Sequence, residues 1–386
     1  MLPSPSPEAL THSQRVTEHI RSVVESHAGW IDFARYMDRV LYAPGLGYYA
    51  AGATKFGADG DFVTAPEISP LFGRTLALQI APMLRELQGE LMELGAGSGA
   101  LAVHMLLELE RQHALPAKYY ILELSADLQA RQLQRLATQA PHLLERVSWL
   151  DALPASFAGV IVGNEVLDAL PVHCVQWQAD KIHERGVTWN GTQFEWALRE
   201  RREGPLWQAA QSLPIDNGIP DAPYTSEISF AAPALIHALA TMLVWGAMIF
   251  IDYGFPRREY YHPQRHMGTL RAHYRHHALD DPFFLPGLCD ITAHVDFSAL
   301  AQAAVRSGLT LAGYTSQANF LMNAGIADLL MQTSPAHAAD YLPQANTVQR
   351  LVSPAEMGEL FKVIAFTREF DFPCAGFAHG DRSHTL

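Results

Sequence analysis

The stretch Glu90-Leu91-Met92-Glu93-Leu94-Gly95-Ala96-Gly97-Ser98-Gly99, running on into Ala100-Leu101-Ala102-Val103-His104-Met105-Leu106-Leu107-Glu108, decides the fold. An apolar run opens into three glycines at alternate positions and then into a helix-prone segment, which reads as strand, tight turn and helix. Glycine is needed where backbone passes close to a ligand or takes a positive φ. The helix start that follows offers free N–H groups and the positive end of a dipole. Such a turn seats a nucleotide-like cofactor. Gly95-x-Gly97-x-x-Ala100 also satisfies the looser dinucleotide fingerprint, so the loop alone leaves the choice of cofactor to the rest of the chain.

Outward from that loop, strand and helix patterns alternate. Residues 118–125 read as a buried second strand with Glu123 at its carboxyl end, where an acidic side chain in a doubly wound sheet accepts from ribose hydroxyls. A helix over 126–138, a strand over 147–151 and a strand over 159–163 follow, the last ending in Asn164-Glu165-Val166-Leu167-Asp168-Ala169-Leu170-Pro171. This alternation predicts a parallel sheet. Upstream lie two helices, the second with Asp32 as N-cap, a turn-rich aromatic loop over 41–51, a polar and small-residue stretch over 57–69, and a helix over 70–87. From Val172 to about Pro223 the pattern changes to hairpin-like pieces, one turning at Asn190-Gly191, and predicts an antiparallel insertion. Helix and strand resume over 234–254. A loop rich in His, Arg, Tyr and Pro occupies 255–292, and the core closes with a helix over 297–308, a strand over 309–315 and a last strand over 361–367. The expected organisation is a helical cap over 1–60, the first half of an α/β core over 61–171, a β-rich substrate-side insertion over 172–230, and the second half of the core, with its long loop, over 231–386.

With 386 residues, 49% of them hydrophobic, a sizeable core is available. Lys and Arg number 27 against 40 Asp and Glu, a balance of −13, which disfavours nucleic acid as a partner and favours a cationic substrate. The three cysteines, Cys174, Cys289 and Cys374, lie far apart without C-x-x-C spacing, so neither a disulfide framework nor a zinc site is expected. The proline-broken start lacks the features of a signal peptide, and a reducing cytoplasm is the expected compartment. The strongest apolar stretch, 235–251, is interrupted by His237 and Trp245-Gly246; it reads as helix plus buried strand rather than a membrane span. His262, His266, His273, His276 and His277 match no metal-ligand spacing. Ser98 lacks the G-x-S-x-G frame, because Ala96 and Ala100 flank it.

The carboxylates carry the chemical argument. Glu93, two residues ahead of Gly95, would repel a pyrophosphate but suits a cationic group. S-adenosylmethionine has both an ammonium and a sulfonium, and its ribose would meet Glu123. Glu165 and Asp168 follow the fourth strand, and Asp252 ends the fifth, all at the carboxyl edge where open α/β sheets place ligands. Together they predict an acidic pocket that orients a guanidinium, which is a poor nucleophile until carboxylates localise its charge away from the attacking nitrogen. Helix capping is the competing role for Glu165 and Asp168. Asn164 faces cofactor or acceptor in this reading, and Thr64 and Glu67 close over the cofactor, with a helix N-terminal charge as the alternative for Glu67. His294 is either a substrate contact or a structural histidine.

The pieces Gly60 to Ser69, Glu93 to Gly99, Asn164 to Val172, Ile251-Asp252-Tyr253-Gly254, Met267-Gly268-Thr269-Leu270-Arg271 and Asp290 to Phe297 resemble, in matching order, the class I methyltransferase family named MidA in slime mould. The resemblance covers about residues 15 to 370. It implies a Rossmann-like sheet of seven strands whose last is antiparallel, with methyl transfer from S-adenosyl-L-methionine. The acceptor it implies is arginine of a protein, and its mitochondrial member resembles an arginine methyltransferase needed for respiratory complex I assembly. The expected cofactor residues are then Thr64, Glu67, Glu93, Gly95, Gly97, Gly99, Glu123, Leu124 and Asn164, and the expected catalytic ones Glu165, Asp168 and Asp252. No metal is expected. A protein substrate presenting arginine is the expected partner, and a homodimer is left open. Two alternatives stand beside this reading. An NAD-dependent oxidoreductase would share the loop and Glu123 but give Glu93 no role, and a non-catalytic assembly factor would keep the fold and the cofactor.

Overall fold

Apolar runs such as Val160-Ile161-Val162 and Ala247-Met248-Ile249-Phe250-Ile251 can bury both faces only in a sheet covered on both sides. The computed structural model, which describes residues 2–51, 64–215, 222–372 and 374–386, arranges them so. The chain divides into two compact units. One, the sheet unit, is Val63–Leu167, Leu235–Gly254 and Phe297–Leu386; the other is Met1–Phe62, Asp168–Ala234 and Phe255–Asp296. The expected boundary between residues 60 and 61, and most of the 57–69 stretch, lie outside the described residues.

In the sheet unit seven strands are β1 (Glu90–Leu94), β2 (Tyr119–Leu122), β3 (Val147–Leu150), β4 (Phe157–Asn164), β5 (Leu243–Phe255), β6 (Thr310–Ser316) and β7 (Phe361–Arg368). They lie in the order β3-β2-β1-β4-β5-β7-β6. The pairs from β3 to β5 are parallel, and β7 runs antiparallel to both β5 and β6. Val160, Val162, Ile249 and Ile251 alternate onto one face, where they share a core with Leu76 and Ile80 of helix α1 (Pro70–Leu87) and Val103 and Leu106 of α2 (Ala100–Arg111). Ile161, Met248 and Phe250 on the other face are equally buried.

Register then places the site. Leu94 of β1 stands opposite Leu122 of β2 and Gly163 of β4, and Gly163 opposite Phe250 of β5. The chain therefore leaves β1, β2 and β4 along one carboxyl edge, at Gly95, Glu123 and Asn164–Glu165, with Asp252 just beyond the same row on β5.

The other unit holds both N-terminal helices, Pro7–Ser26 capped by Ser6 and Phe33–Tyr42 capped by Asp32, whose side chain accepts from the Arg35 N–H at 2.8 Å. Its sheet contains the expected antiparallel strands, His173–Gln178, Lys181–Trp189, Phe194–Arg201 and Tyr224–Ile228, with the turn at Asn190-Gly191 in place. Residues 255–292, read from sequence as loop, contain three short antiparallel strands, Arg271–Tyr274, His277–Leu279 and Asp290–Thr292. They are too short to show alternation. The hairpin turns through Arg275 and His276, whose φ values of 46° and 65° are of the kind that Asn-Gly normally signals.

Candidate active site

The β1–α2 loop takes the conformation that its composition requires. Gly95, Gly97 and Gly99 have φ of 59°, 53° and 82°, a region costly for any residue with a Cβ, and Gly99 is the N-cap of α2. The Gly99 N–H donates to the Ala96 carbonyl at 2.8 Å, and the Gly95 N–H to the Leu122 carbonyl at 3.0 Å, tying the loop to β2.

Glu93 lies behind this loop, 2% exposed, and accepts a hydrogen bond from the Tyr119 hydroxyl at 2.6 Å. Burial pushes its carboxyl up to about 7; the Tyr119 bond opposes that rise and the nearby Glu123 charge adds to it. A carboxyl held near half-ionisation beside a ligand-sized loop gains its charge readily when a cation arrives. Glu123, at the end of β2, is fixed from two sides: the Ser125 N–H donates to Oε1 at 2.9 Å and the Gln132 amide to Oε2 at 3.1 Å. The next residue, Leu124, is 76% exposed at the same edge.

Glu67 joins the loop from the other side. It bonds Ser98 Oγ closely and receives Arg135 Nη1 at 2.7 Å, and the same guanidinium nitrogen reaches Ser98 Oγ at 2.8 Å. Burial alone would raise the Glu67 carboxyl, but the Arg135 and Ser98 bonds outweigh it and hold it below its ordinary value. Thr64 is the N-cap of the short helix Ala65–Ile68 without a side-chain capping bond.

The turn after β4 is built differently. Glu165 has φ 53° although it is not glycine, and its N–H donates to the Ile251 carbonyl at 2.9 Å. Its Oε1 accepts from the Asn164 amide at 3.2 Å, while Asn164 Oδ1 is buried without a hydrogen-bond partner among the described residues. Asp252, expected as a member of the acidic pocket, is fully buried. Its Oδ2 accepts from the Val166 and Leu167 N–H groups at 3.2 and 2.8 Å, and its Oδ1 from the Tyr253 N–H at 2.9 Å. A carboxylate so engaged by backbone positions the Glu165 turn. Asp168 belongs to the other unit, where it is buried and its backbone carbonyl accepts from the Ala293 N–H at 2.9 Å. His294, in that same unit, donates its backbone N–H to Thr269 Oγ1 at 3.1 Å.

The sheet unit thus gathers Glu67, Glu93, the three glycines, Glu123, Leu124, Asn164, Glu165 and Asp252 on or behind one edge. Sequence reasoning missed Tyr119, Gln132 and Arg135. The last two fall three apart on one face of the helix over 126–139, a spacing that marks a common neighbour but not which one.

Strand order, glycine loop and the carboxylate ending β2 define a class I methyltransferase fold. A family model described as "Putative S-adenosyl-L-methionine-dependent methyltransferase" matches residues 75–315, and the chain belongs to that family. A crystal structure from Burkholderia thailandensis bound to S-adenosyl-homocysteine is 51% identical, with TM-score 0.95 and complete coverage of both chains. The Drosophila melanogaster "Protein arginine methyltransferase NDUFAF7 homolog, mitochondrial" is 29% identical across 98% of this chain and 91% of its own length; the Danio rerio protein of that name is 27% identical across 91% and 86%. This chain is an S-adenosylmethionine-dependent methyltransferase, which sets aside the nicotinamide alternative. The expectation of a cytoplasmic compartment is overturned, because these relatives are named as mitochondrial. Free cysteines distinguish a reducing from an oxidising milieu, not one reducing compartment from another. Among the described residues no helix is long and apolar enough to cross a membrane.

Proposed function

We propose that the chain methylates arginine in a protein substrate, with a respiratory-complex protein as the acceptor class to which the family resemblance points. Two lines support arginine: the relatives named as protein arginine methyltransferases, and the strained, carboxylate-bearing turn after β4. That turn is the observation that carries the reading. A non-glycine left-handed residue costs about 1–2 kcal/mol, and here that conformation sets a carboxylate at the end of β4, on the edge that carries the glycine loop.

In this account Gly95, Gly97 and Gly99 let the backbone approach the cofactor, Glu123 accepts from the ribose hydroxyls, Leu124 covers the adenine face, and Glu93 answers the ammonium. Thr64 and Glu67 close that side, with Glu67 holding the loop through Ser98. The orphaned Asn164 Oδ1, at the edge of the same sheet, fits a ligand donor. The cofactor supplies an electrophilic methyl group on sulfonium. Glu165 holds the guanidinium by charge-assisted hydrogen bonds, turning one nitrogen toward that methyl, and takes up the proton released after transfer. Asp252 keeps the Glu165 turn in place through the Val166 and Leu167 N–H groups.

Labelled S-adenosylmethionine incubated with cell extract, followed by mass spectrometry of the modified residue, tests the proposal. We expect label on arginine, lost in Glu165→Gln while S-adenosyl-homocysteine binding persists. Label on lysine or a carboxylate, or full activity in Glu165→Gln, overturns it.

A further inference from the structure

Helix α3 (Ala126–Gln139) presents Gln129, Gln132 and Arg135 at three-residue intervals, and all three reach the cofactor edge. Gln129 Nε2 donates to the Glu123 carbonyl at 2.7 Å, and Arg135 binds Ser98 and Glu67 as described. Between them Gln132, fully buried, uses one amide nitrogen for two acceptors: the Gly97 carbonyl at 3.0 Å and Glu123 Oε2 at 3.1 Å. Its Oε1 accepts from the Trp149 indole N–H at 2.8 Å. Indole is a donor only, so this bond fixes which way the amide faces and aims both of its N–H groups at the loop and the carboxylate. The loop also sits directly on this residue, since a Cβ on Gly99 would lie 3.2 Å from Gln132 Cα.

We infer that Gln132 is a positioning residue for the cofactor: its amide joins the glycine loop to Glu123, so that both ends of the nucleoside seat are in place before the ligand binds. This rests on the reading of Glu123 as a cofactor partner. A buried amide kept only to fill space would tolerate an apolar side chain of similar length. An amide that orients Glu123 would not, because its loss takes the Gln132 donor away from Glu123 Oε2 and from the Gly97 carbonyl, which the ligand then has to order.

The test is calorimetric titration of the full chain with S-adenosyl-homocysteine. Wild-type binding comes first, and its absence would count against the cofactor site itself rather than against Gln132. Given wild-type binding, Gln132→Met is expected to weaken affinity by about 10-fold or more. Gln132→Glu sets two carboxylates against each other. Its affinity should be weak at about pH 8 and approach wild type at about pH 6, where one shared proton restores the bond to Glu123. Recovery at about pH 6 beyond the affinity of Gln132→Met, which keeps the volume without the hydrogen bond, is what a purely space-filling role would not produce. Affinity within about twofold of wild type in either variant at about pH 8, or a Gln132→Glu deficit equal at both pH values, overturns the inference. Should both variants fail to fold, Trp149→Phe, which removes the indole donor that orients the amide, carries the same comparison in its folded form. A loss of about threefold or more supports the inference, and an unchanged affinity overturns it.

Discussion

Two turns leave the same edge of the sheet and solve opposite problems. The one after β1, Gly95 to Gly99, reaches left-handed conformations with glycines and exposes backbone; the one after β4 reaches them at Glu165 and keeps a carboxylate. Each has a buried acid behind it. Asp252 behind the second turn is engaged by three backbone N–H groups, whereas Glu93 behind the first has the Tyr119 hydroxyl as its hydrogen-bond donor and a carboxyl raised to about 7. The contrast separates roles. On the proposed reading, the glycine turn is where backbone approaches the cofactor and Glu93 is left able to respond to its charge, while the turn after β4 presents Glu165 and Asp252 holds it.

The largest effect should come from removing that committed acid. Asp252→Ala strands the Val166, Leu167 and Tyr253 N–H groups and is expected to destabilise the protein by about 3–5 kcal/mol in urea unfolding. A loss under about 1 kcal/mol would mean that the turn does not depend on Asp252.

Glu93 should give a smaller, pH-dependent effect. Its folded carboxyl titrates near 7 against an ordinary 4.5, so the folded state binds the proton more tightly. The stability this confers is fully present below pH 4.5 and is lost as pH rises through 7, by up to about 3 kcal/mol. Glu93→Gln should flatten that slope, and an unchanged slope assigns it to other groups. S-adenosylmethionine affinity should move the other way in wild type, rising as Glu93 ionises.

The smallest effect is the most discriminating. Glu165→Gly removes the left-handed strain and should stabilise the fold by about 1 kcal/mol while methyl transfer is lost. Thermal unfolding that shows destabilisation instead would mean that Glu165 supports the turn through its side chain.

How much could be read from the sequence follows the same division. The glycine loop, the seven strands and Glu123 were legible because their signals are local: an apolar run, three glycines, an acid closing the next run. Asp252 as the support of the Glu165 turn was not, because its bonds to Val166 and Leu167 span 86 and 85 residues of chain and nothing at either end announces the other. Glu165 carried no conformational signal, since a left-handed glutamate looks like any other in sequence. Arg275-His276 hid a hairpin in the same way. Gln132 was invisible because a glutamine on a predicted helix reads as solvent-facing until the fold sets it against Gly97.

The central claim is that the glycine loop and Glu123 form the cofactor seat. Calorimetric titration of wild type and Glu123→Ala with S-adenosyl-homocysteine tests it most directly. The account predicts one molecule bound per wild-type chain and an affinity weakened by about 10- to 100-fold in the folded variant, from loss of charge-assisted bonds to ribose. Equal affinity in the two proteins, or no binding by folded wild type, would contradict it.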